Sequence, residues 1–211
     1  MDMPAITLFH NPRSRSAGSR VLLEALGVPY QVKVLDFARG ENRSPDFLAL
    51  NPLGKLPTLV HGEAVITEQV AITIYLADRF PEARLAPAFD DPARGPYLRW
   101  LAFYGACFEP AVVDHAFKRE PLDPATSPYR DYDTVIDTLV AQLSRADYLL
   151  GDTLTAADLL WGTALAWTTE FGIVPRLPAI TAYIERVAAH PAVVRARELD
   201  AALAASMEGA G

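Results

Sequence analysis

Asn51-Pro52-Leu53-Gly54-Lys55-Leu56-Pro57-Thr58-Leu59 is the stretch from which the fold of this chain is read. Pro57 stands immediately before the β-prone Thr58-Leu59-Val60, and Pro52 and Gly54 shape the approach to it. X-Pro bonds lose most of the preference for trans. A cis bond here turns the backbone of Leu56 outward and leaves its N–H and C=O free to pair with an extended peptide ligand. For this stretch taken alone, a loop proline with no ligand duty is the alternative.

Upstream, the hydrophobic period changes repeatedly, which is the texture of an α/β unit. Ile6 to Phe9 reads as a strand, Asn11-Pro12 as a break, and Arg20 to Leu26 as a helix stopped by Gly27. Tyr30 to Val34 alternates as a second strand, and Asp46 to Leu50 forms a short helical turn that ends at Asn51-Pro52. Downstream, Thr58-Leu59-Val60 and Ala64-Val65-Ile66 flank His61-Gly62-Glu63 as a hairpin, and Gln69 to Phe80 returns to helix. The order is βαβαββα, a parallel first half closed by an antiparallel hairpin, the thioredoxin-like arrangement.

The junction Ile66-Thr67-Glu68-Gln69-Val70 brings an acid and an amide to the start of that last helix. Unpaired N–H groups and the helix dipole favour a carboxylate there, while Glu68 can hold an ammonium. A zwitterionic amino-acid end fits this corner. Helix capping by Thr67 or Glu68 is the simpler alternative.

After Leu85 the texture becomes wholly helical. Pro87 and Asp90-Asp91-Pro92 mark a crossing, and apolar residues recur three and four apart over 97–108, 132–144, 156–169 and 180–189. The expected organisation is a thioredoxin-like domain over 1–85, a linker over 86–92 and an all-helical domain over 93–211. The tail from Ala201 to Gly211 is small and polar enough to fray. In Gly151-Asp152-Thr153-Leu154-Thr155-Ala156-Ala157-Asp158-Leu159, Thr155 is a helix N-cap, Asp158 lies three positions on, and Leu154 can staple to Leu159. Asp158 is read as a buried capping residue, not a catalytic one.

The bulk numbers narrow the function classes. The 211 residues carry 19 Lys and Arg against 26 Asp and Glu, a net charge of −7, which works against attraction to nucleic acid or anionic membrane. Met1 to Ala5 shows no basic segment leading into an apolar run, and no stretch approaches the ~18 apolar residues of a membrane span. Cys107 is the one cysteine, so neither an internal disulfide nor a cysteine metal cluster can form, and a reducing, cytoplasmic setting is expected. His10, His61, His115 and His190 are far apart with no metal-ligand spacing, so no metal is expected.

Taken together, the Leu56-Pro57 stretch, the Glu68-Gln69 junction, the Gly151–Leu159 motif and the stretch from Pro178 to Val193 resemble the cytosolic glutathione transferases over nearly the whole chain. The resemblance implies glutathione as co-substrate, a hydrophobic electrophile as acceptor and a homodimer. It gives the backbone of Leu56, with Pro57, the cysteinyl part of glutathione, and Glu68 the γ-glutamyl end. The position after Glu68 is usually serine in the family; here it is Gln69, whose amide can still donate to a carboxylate. Lys55 corresponds to a basic position that reaches the glycyl carboxylate, with Asn51 close by.

Glutathione reacts as the thiolate, and a thiol with a reference pKa of about 8.5 is mostly protonated at neutral pH. A hydroxyl donating to sulfur at the positive end of a helix shifts that balance. The loop His10-Asn11-Pro12-Arg13-Ser14-Arg15-Ser16 supplies two. Matched forward from the strand, Ser14 resembles the catalytic serine of the serine-type classes, and Ser16 is the alternative because loop length after Pro12 varies. The loop holds no cysteine and no tyrosine, so neither of those activations is matched. For the acceptor, Trp100, Phe103, Tyr104, Cys107 and Phe108 recur at helical spacing; most are core, with Phe103, Tyr104 and Cys107 the expected pocket residues and Tyr104 favoured. A glutathione-dependent peroxidase or disulfide reductase, and a non-catalytic carrier of glutathione or hydrophobic ligands, are the competing functions.

Overall fold

The computed structural model describes residues 5–120 and 122–209; residues 1–4, on which the reading of the N-terminus partly rests, lie outside them. The chain divides into two compact units.

The first unit takes in the described residues of 1–83 and 190–211. Its strands are β1 (Ile6–His10), β2 (Tyr30–Val34), β3 (Thr58–His61) and β4 (Ala64–Thr67), in the order β2-β1-β3-β4. β1 pairs parallel with β2 and antiparallel with β3, and β3 pairs antiparallel with β4. Helices α1 (Ser16–Leu26), α2 (Pro45–Leu50), α3 (Gln69–Arg79) and α9 (Pro191–Gly209) complete the unit. The thioredoxin-like order read from the sequence is the order observed.

Alternation along β1 decides the core. Phe9 clusters with Leu35, Phe47 and Leu56, its ring centroid 5.4 Å from that of Phe47, while Ile6 and Leu8 are buried on the opposite side of the sheet. α2 begins where Ser44 Oγ accepts from Phe47 N at 3.3 Å, with Pro45 in the first turn.

α1 begins at Ser16, four residues before its apolar periodicity. The turn of Ser14 and Arg15, whose carbonyls accept from Ala17 N and Gly18 N, nucleates it ahead of the small residues that carry no hydrophobic signal. The tail expected to fray is helical through Gly209, and α9 packs on α1 of the first unit instead of extending the helical domain. The contact buries Ala192, Val193 and Ala196 of α9 and pairs charges across it: Asp200 accepts from Arg20 Nη1 at 2.6 Å and lies 2.9 Å from His10 Nε2, and Glu208 pairs with Arg13.

The second unit spans residues 84–189. α4 (Arg94–Phe103) runs through a π turn (Tyr104–Phe108) into α5 (Glu109–Ala116), followed by α6 (Tyr132–Leu143), α7 (Ala156–Glu170) and α8 (Pro178–Ala188). The helix expected to end at Phe108 therefore continues. Pro110 cannot donate in an α-helical ladder, and the backbone widens before it, Glu109 N reaching back to Tyr104 O. α7 is buried along most of its length and approaches α8 so closely that a Cβ on Gly162 would lie 2.5 Å from Val187 Cγ1. The capping box at its start is present, with Asp158 accepting from Leu149 N, Thr155 N and Thr155 Oγ1 at 2.8 Å and from Tyr183 Oη at 2.9 Å. Burial pushes the Asp158 carboxyl up from its ordinary range, with these four bonds pulling against it.

Candidate functional site

The register of the sheet gathers the residues expected at the site at one end of its strands. Phe9 opposes Thr58, and Thr58 opposes Thr67. The chain leaving β1, the chain entering β3 and the chain leaving β4 therefore emerge side by side. These three points carry the Ser14 loop, Leu56-Pro57 and Glu68-Gln69.

Asn11 organises the first loop. Its Nδ2 donates to Leu35 O at 2.8 Å, its Oδ1 accepts from Arg13 N at 2.9 Å, and its carbonyl accepts from Ser14 N and Ser14 Oγ at 3.1 and 2.8 Å. Ser14 is half-buried, and its Oγ accepts from Ser16 N at 3.2 Å, just ahead of α1. Ser16 is different. It is 0% exposed, and its Oγ lies 2.8 Å from His10 Nδ1 and 2.7 Å from Ser14 Oγ while accepting from Asn11 N at 3.1 Å. Arg15 is exposed, as is Arg13, which pairs with Glu208.

The Leu56–Pro57 peptide bond is cis. Among the described residues no hydrogen bond occupies the Leu56 N–H or C=O. The approach is rigid: Asn42 Nδ2 donates to Gly54 O at 2.9 Å, and Gly54, at φ 62°, has no room for a Cβ, which would lie 2.9 Å from Asn42 O.

Asn51, expected near the ligand, is instead an internal brace. It is buried, its Nδ2 donates to Lys55 O and Thr58 Oγ1 at 2.9 and 3.0 Å, and its Oδ1 accepts from Leu53 N at 3.1 Å. With both amide hydrogens used inside the loop, it holds Lys55 and Leu56 in place and has no N–H left to donate to a ligand. Lys55 is exposed.

Glu68 is the N-cap of α3, exposed, at φ 65° and ψ 124°. A left-handed φ on a residue with a Cβ costs energy, about 1 kcal/mol or more, and persists where the surroundings impose it. The Glu68 side chain does not cap the helix that it precedes. Gln69 Nε2 donates to Arg15 O at 3.1 Å, so its amide ties α3 to the Ser14 loop.

The aromatic stripe belongs to the core of the second unit. Tyr104, the favoured pocket residue, is 1% exposed, packs edge-on against Trp161 at 5.3 Å and donates its hydroxyl to Glu109. Trp100, Tyr104 and Phe108 all face Trp161, whose Nε1 donates to Trp100 O at 3.1 Å. Phe103 is half-buried under the Arg99 guanidinium and stacks on Trp161. Cys107 is half-buried, and burial pushes its thiol up against the opposing pull of Arg99. A cleft in the first unit that sequence reasoning missed holds about 350 Å³ and is lined by Pro12, Arg13, Phe37, Met207 and Glu208 among others. Phe37 was legible as an apolar residue in a polar loop; Met207 lies in the tail expected to fray.

Sequence models of the glutathione S-transferase N-terminal and C-terminal domains match residues 4–78 and 127–191. Glutathione S-transferase GST-4.5 of Xanthomonas campestris pv. campestris is 31% identical over 191 residues, covering 86% of this chain and 92% of that protein. The chain belongs to the glutathione S-transferase family. Glutathione S-transferase 3 of Zea mays is 32% identical over 81% of this chain and 83% of its own. Among solved structures, a glutathione transferase from Methylococcus capsulatus superposes with a TM-score of 0.78 at 27% identity, covering 93% of this chain and 99% of that one. A sphingomonad glutathione S-transferase in complex with glutathione gives 0.76 at 30% identity, covering 92% and 98%. Among the described residues no helix is long and apolar enough to cross a membrane, and no group of three or more His, Cys, Asp and Glu could hold a metal ion.

Proposed function

We propose that this transferase binds glutathione along the edge formed by Leu56, Pro57 and Glu68, ionises its thiol with the hydroxyl of Ser14 and joins the sulfur to a hydrophobic electrophile. The observation that carries the choice of serine is the contrast in burial: Ser14 is half-buried at the loop surface, whereas Ser16 is fully enclosed among His10, Asn11 and Ser14. A donor to an incoming sulfur needs a face open to it. The positive end of α1 lies beside Ser14 and favours the anion.

The backbone of Leu56 pairs with the cysteinyl residue, as in a strand addition, and fixes the sulfur relative to Ser14. Glu68 holds the γ-glutamyl ammonium, the N–H groups of the first turn of α3 receive its carboxylate, and Lys55 takes the glycyl carboxylate. The thiolate attacks an electrophilic carbon, forming the C–S bond as a leaving group departs with its electron pair or as a π bond opens. Pro12, Phe37 and Met207 offer the acceptor an apolar wall beside the loop. A homodimer in the cytoplasm is part of this reading; the exposed Leu53 and Val65 suit contact with a second copy.

Turnover of a chromogenic aryl halide with glutathione tests the assignment. Ser14→Ala should lower kcat/KM by about 10²-fold, the usual cost of one donor to a developing anion, and by more than Ser16→Ala does. The reverse order would assign activation to Ser16.

A further inference from the structure

Ser14 does not end the hydrogen-bonded chain at the loop surface. Its Oγ is 2.7 Å from Ser16 Oγ, Ser16 Oγ is 2.8 Å from His10 Nδ1, and His10 Nε2 is 2.9 Å from Asp200 Oδ1. The inner members are sheltered: His10 and Ser16 are 0% exposed. We propose that His10, oriented by Asp200 of α9, receives the glutathione thiol proton through Ser16 and Ser14. This rests on Ser14 as the donor to sulfur.

The geometry fixes the tautomer. A carboxylate oxygen 2.9 Å from Nε2 requires a proton on that nitrogen, so neutral His10 presents an unprotonated Nδ1 to Ser16. Ser16 then donates to His10 at 2.8 Å in preference to Asn11 O at 3.2 Å, and Ser14 donates inward to Ser16 or to Asn11 O. In this arrangement the outward side of Ser14 is an acceptor, ready to take a proton from an S–H group.

Transfer reverses every bond in the chain. The thiol proton passes to Ser14 Oγ, the Ser14 proton to Ser16 Oγ, and the Ser16 proton to His10 Nδ1. The products are a thiolate and an imidazolium, with no net change of charge. His10 now donates to Ser16, Ser16 to Ser14, and Ser14 to the sulfur anion. Asp200 holds the imidazolium on the far side, in the manner of a carboxylate behind a histidine base. Other charges bear on it: Arg20 of α1 donates to the same Asp200 oxygen at 2.6 Å, and Arg20 in turn touches Tyr30, whose hydroxyl donates to Glu24. Arg20 and His10 therefore share one oxygen of Asp200, and the guanidinium competes with the imidazole for it. After conjugation the proton leaves His10 outward along the same chain to the leaving group or solvent.

His10, Ser16 and Asp200 are positioning residues, since none touches the substrate. A purely structural role for them would alter stability and leave the pH dependence of the reaction alone. The test is kcat/KM for glutathione conjugation against pH, for wild type, His10→Gln, Asp200→Asn and Ser16→Ala, with Ser14→Ala as reference. The relay predicts that each of the three lowers kcat/KM roughly tenfold near pH 6.5, equivalent to a one-unit displacement of the rising limb, and converges on wild type in alkali where the thiol ionises unaided. Ser16→Ala leaves the His10, Asp200 and Arg20 cluster whole, so it interrupts the chain even where the other two variants do not fold. Wild-type pH profiles in the folded variants, with Ser14→Ala impaired, overturn the relay and leave Ser14 standing. Full activity in Ser14→Ala overturns both.

Discussion

Gln69 donates its side-chain amide to the carbonyl of Arg15 at 3.1 Å, joining the N-terminus of α3 to the loop that carries Ser14. Two halves of the proposed glutathione edge, one for the γ-glutamyl end and one for the sulfur, are thus held at a fixed spacing by an exposed bond worth about 1 kcal/mol. Gln69→Ala is expected to raise KM for glutathione several-fold with little change in thermal stability. Unchanged KM would mean that the loop keeps its place without this bond.

Glu68 separates binding from stability. Its φ of 65° is one that glycine, with no Cβ, reaches at less cost than glutamate does. Glu68→Gly should therefore leave the melting temperature unchanged or higher, while glutathione binding measured by calorimetry weakens by at least about tenfold through loss of the charged contact. A variant that melts lower and binds normally would contradict the role given to this residue.

Asp158 accepts from four donors and is fully buried. Asp158→Asn has the same shape but turns an NH₂ toward groups that are themselves donors. Leaving even one of them unpaired costs about 1–3 kcal/mol. The expected loss in denaturant unfolding is at least about 2 kcal/mol, and a loss under about 0.5 kcal/mol would show that the pocket rearranges around the amide.

Gly162 lets α7 meet α8, and a methyl group there would come within 2.5–2.9 Å of the three branch atoms of Val187. Gly162→Ala should destabilise by about 1–3 kcal/mol through overpacking. Val187→Ala in the same chain makes room for it, so the double mutant should lose less than the sum of the two single ones. Strict additivity would place the strain elsewhere.

The first unit was largely legible because each element carries its own local mark. Alternation at Tyr30 to Val34, the hairpin around Gly62, and Pro57 ahead of β3 all survive in the structure. The capping box at Thr155 and Asp158 was equally local. What could not be read depends on distance along the chain or on which face of a helix turns inward. Asp200 is 190 residues from His10, and no period or motif joins them; without that contact, the small residues of α9 look like a tail. Tyr104 has the spacing of a pocket wall and of a core residue alike, and only the position of Trp161 decides between them. Asn51 was placed near the ligand by proximity in sequence, yet its amide is directed into its own loop.

The contrast between the open Ser14 and the enclosed Ser16 carries the account of catalysis, and ionisation of bound glutathione tests it most directly. The measurement is the ultraviolet absorbance of the enzyme-bound thiolate as a function of pH, in wild type and in Ser14→Ala. In wild type the thiolate should form well below the ordinary thiol range, and in Ser14→Ala it should form only at clearly higher pH, with glutathione still bound. The same titration curve in both proteins would contradict the assignment of Ser14.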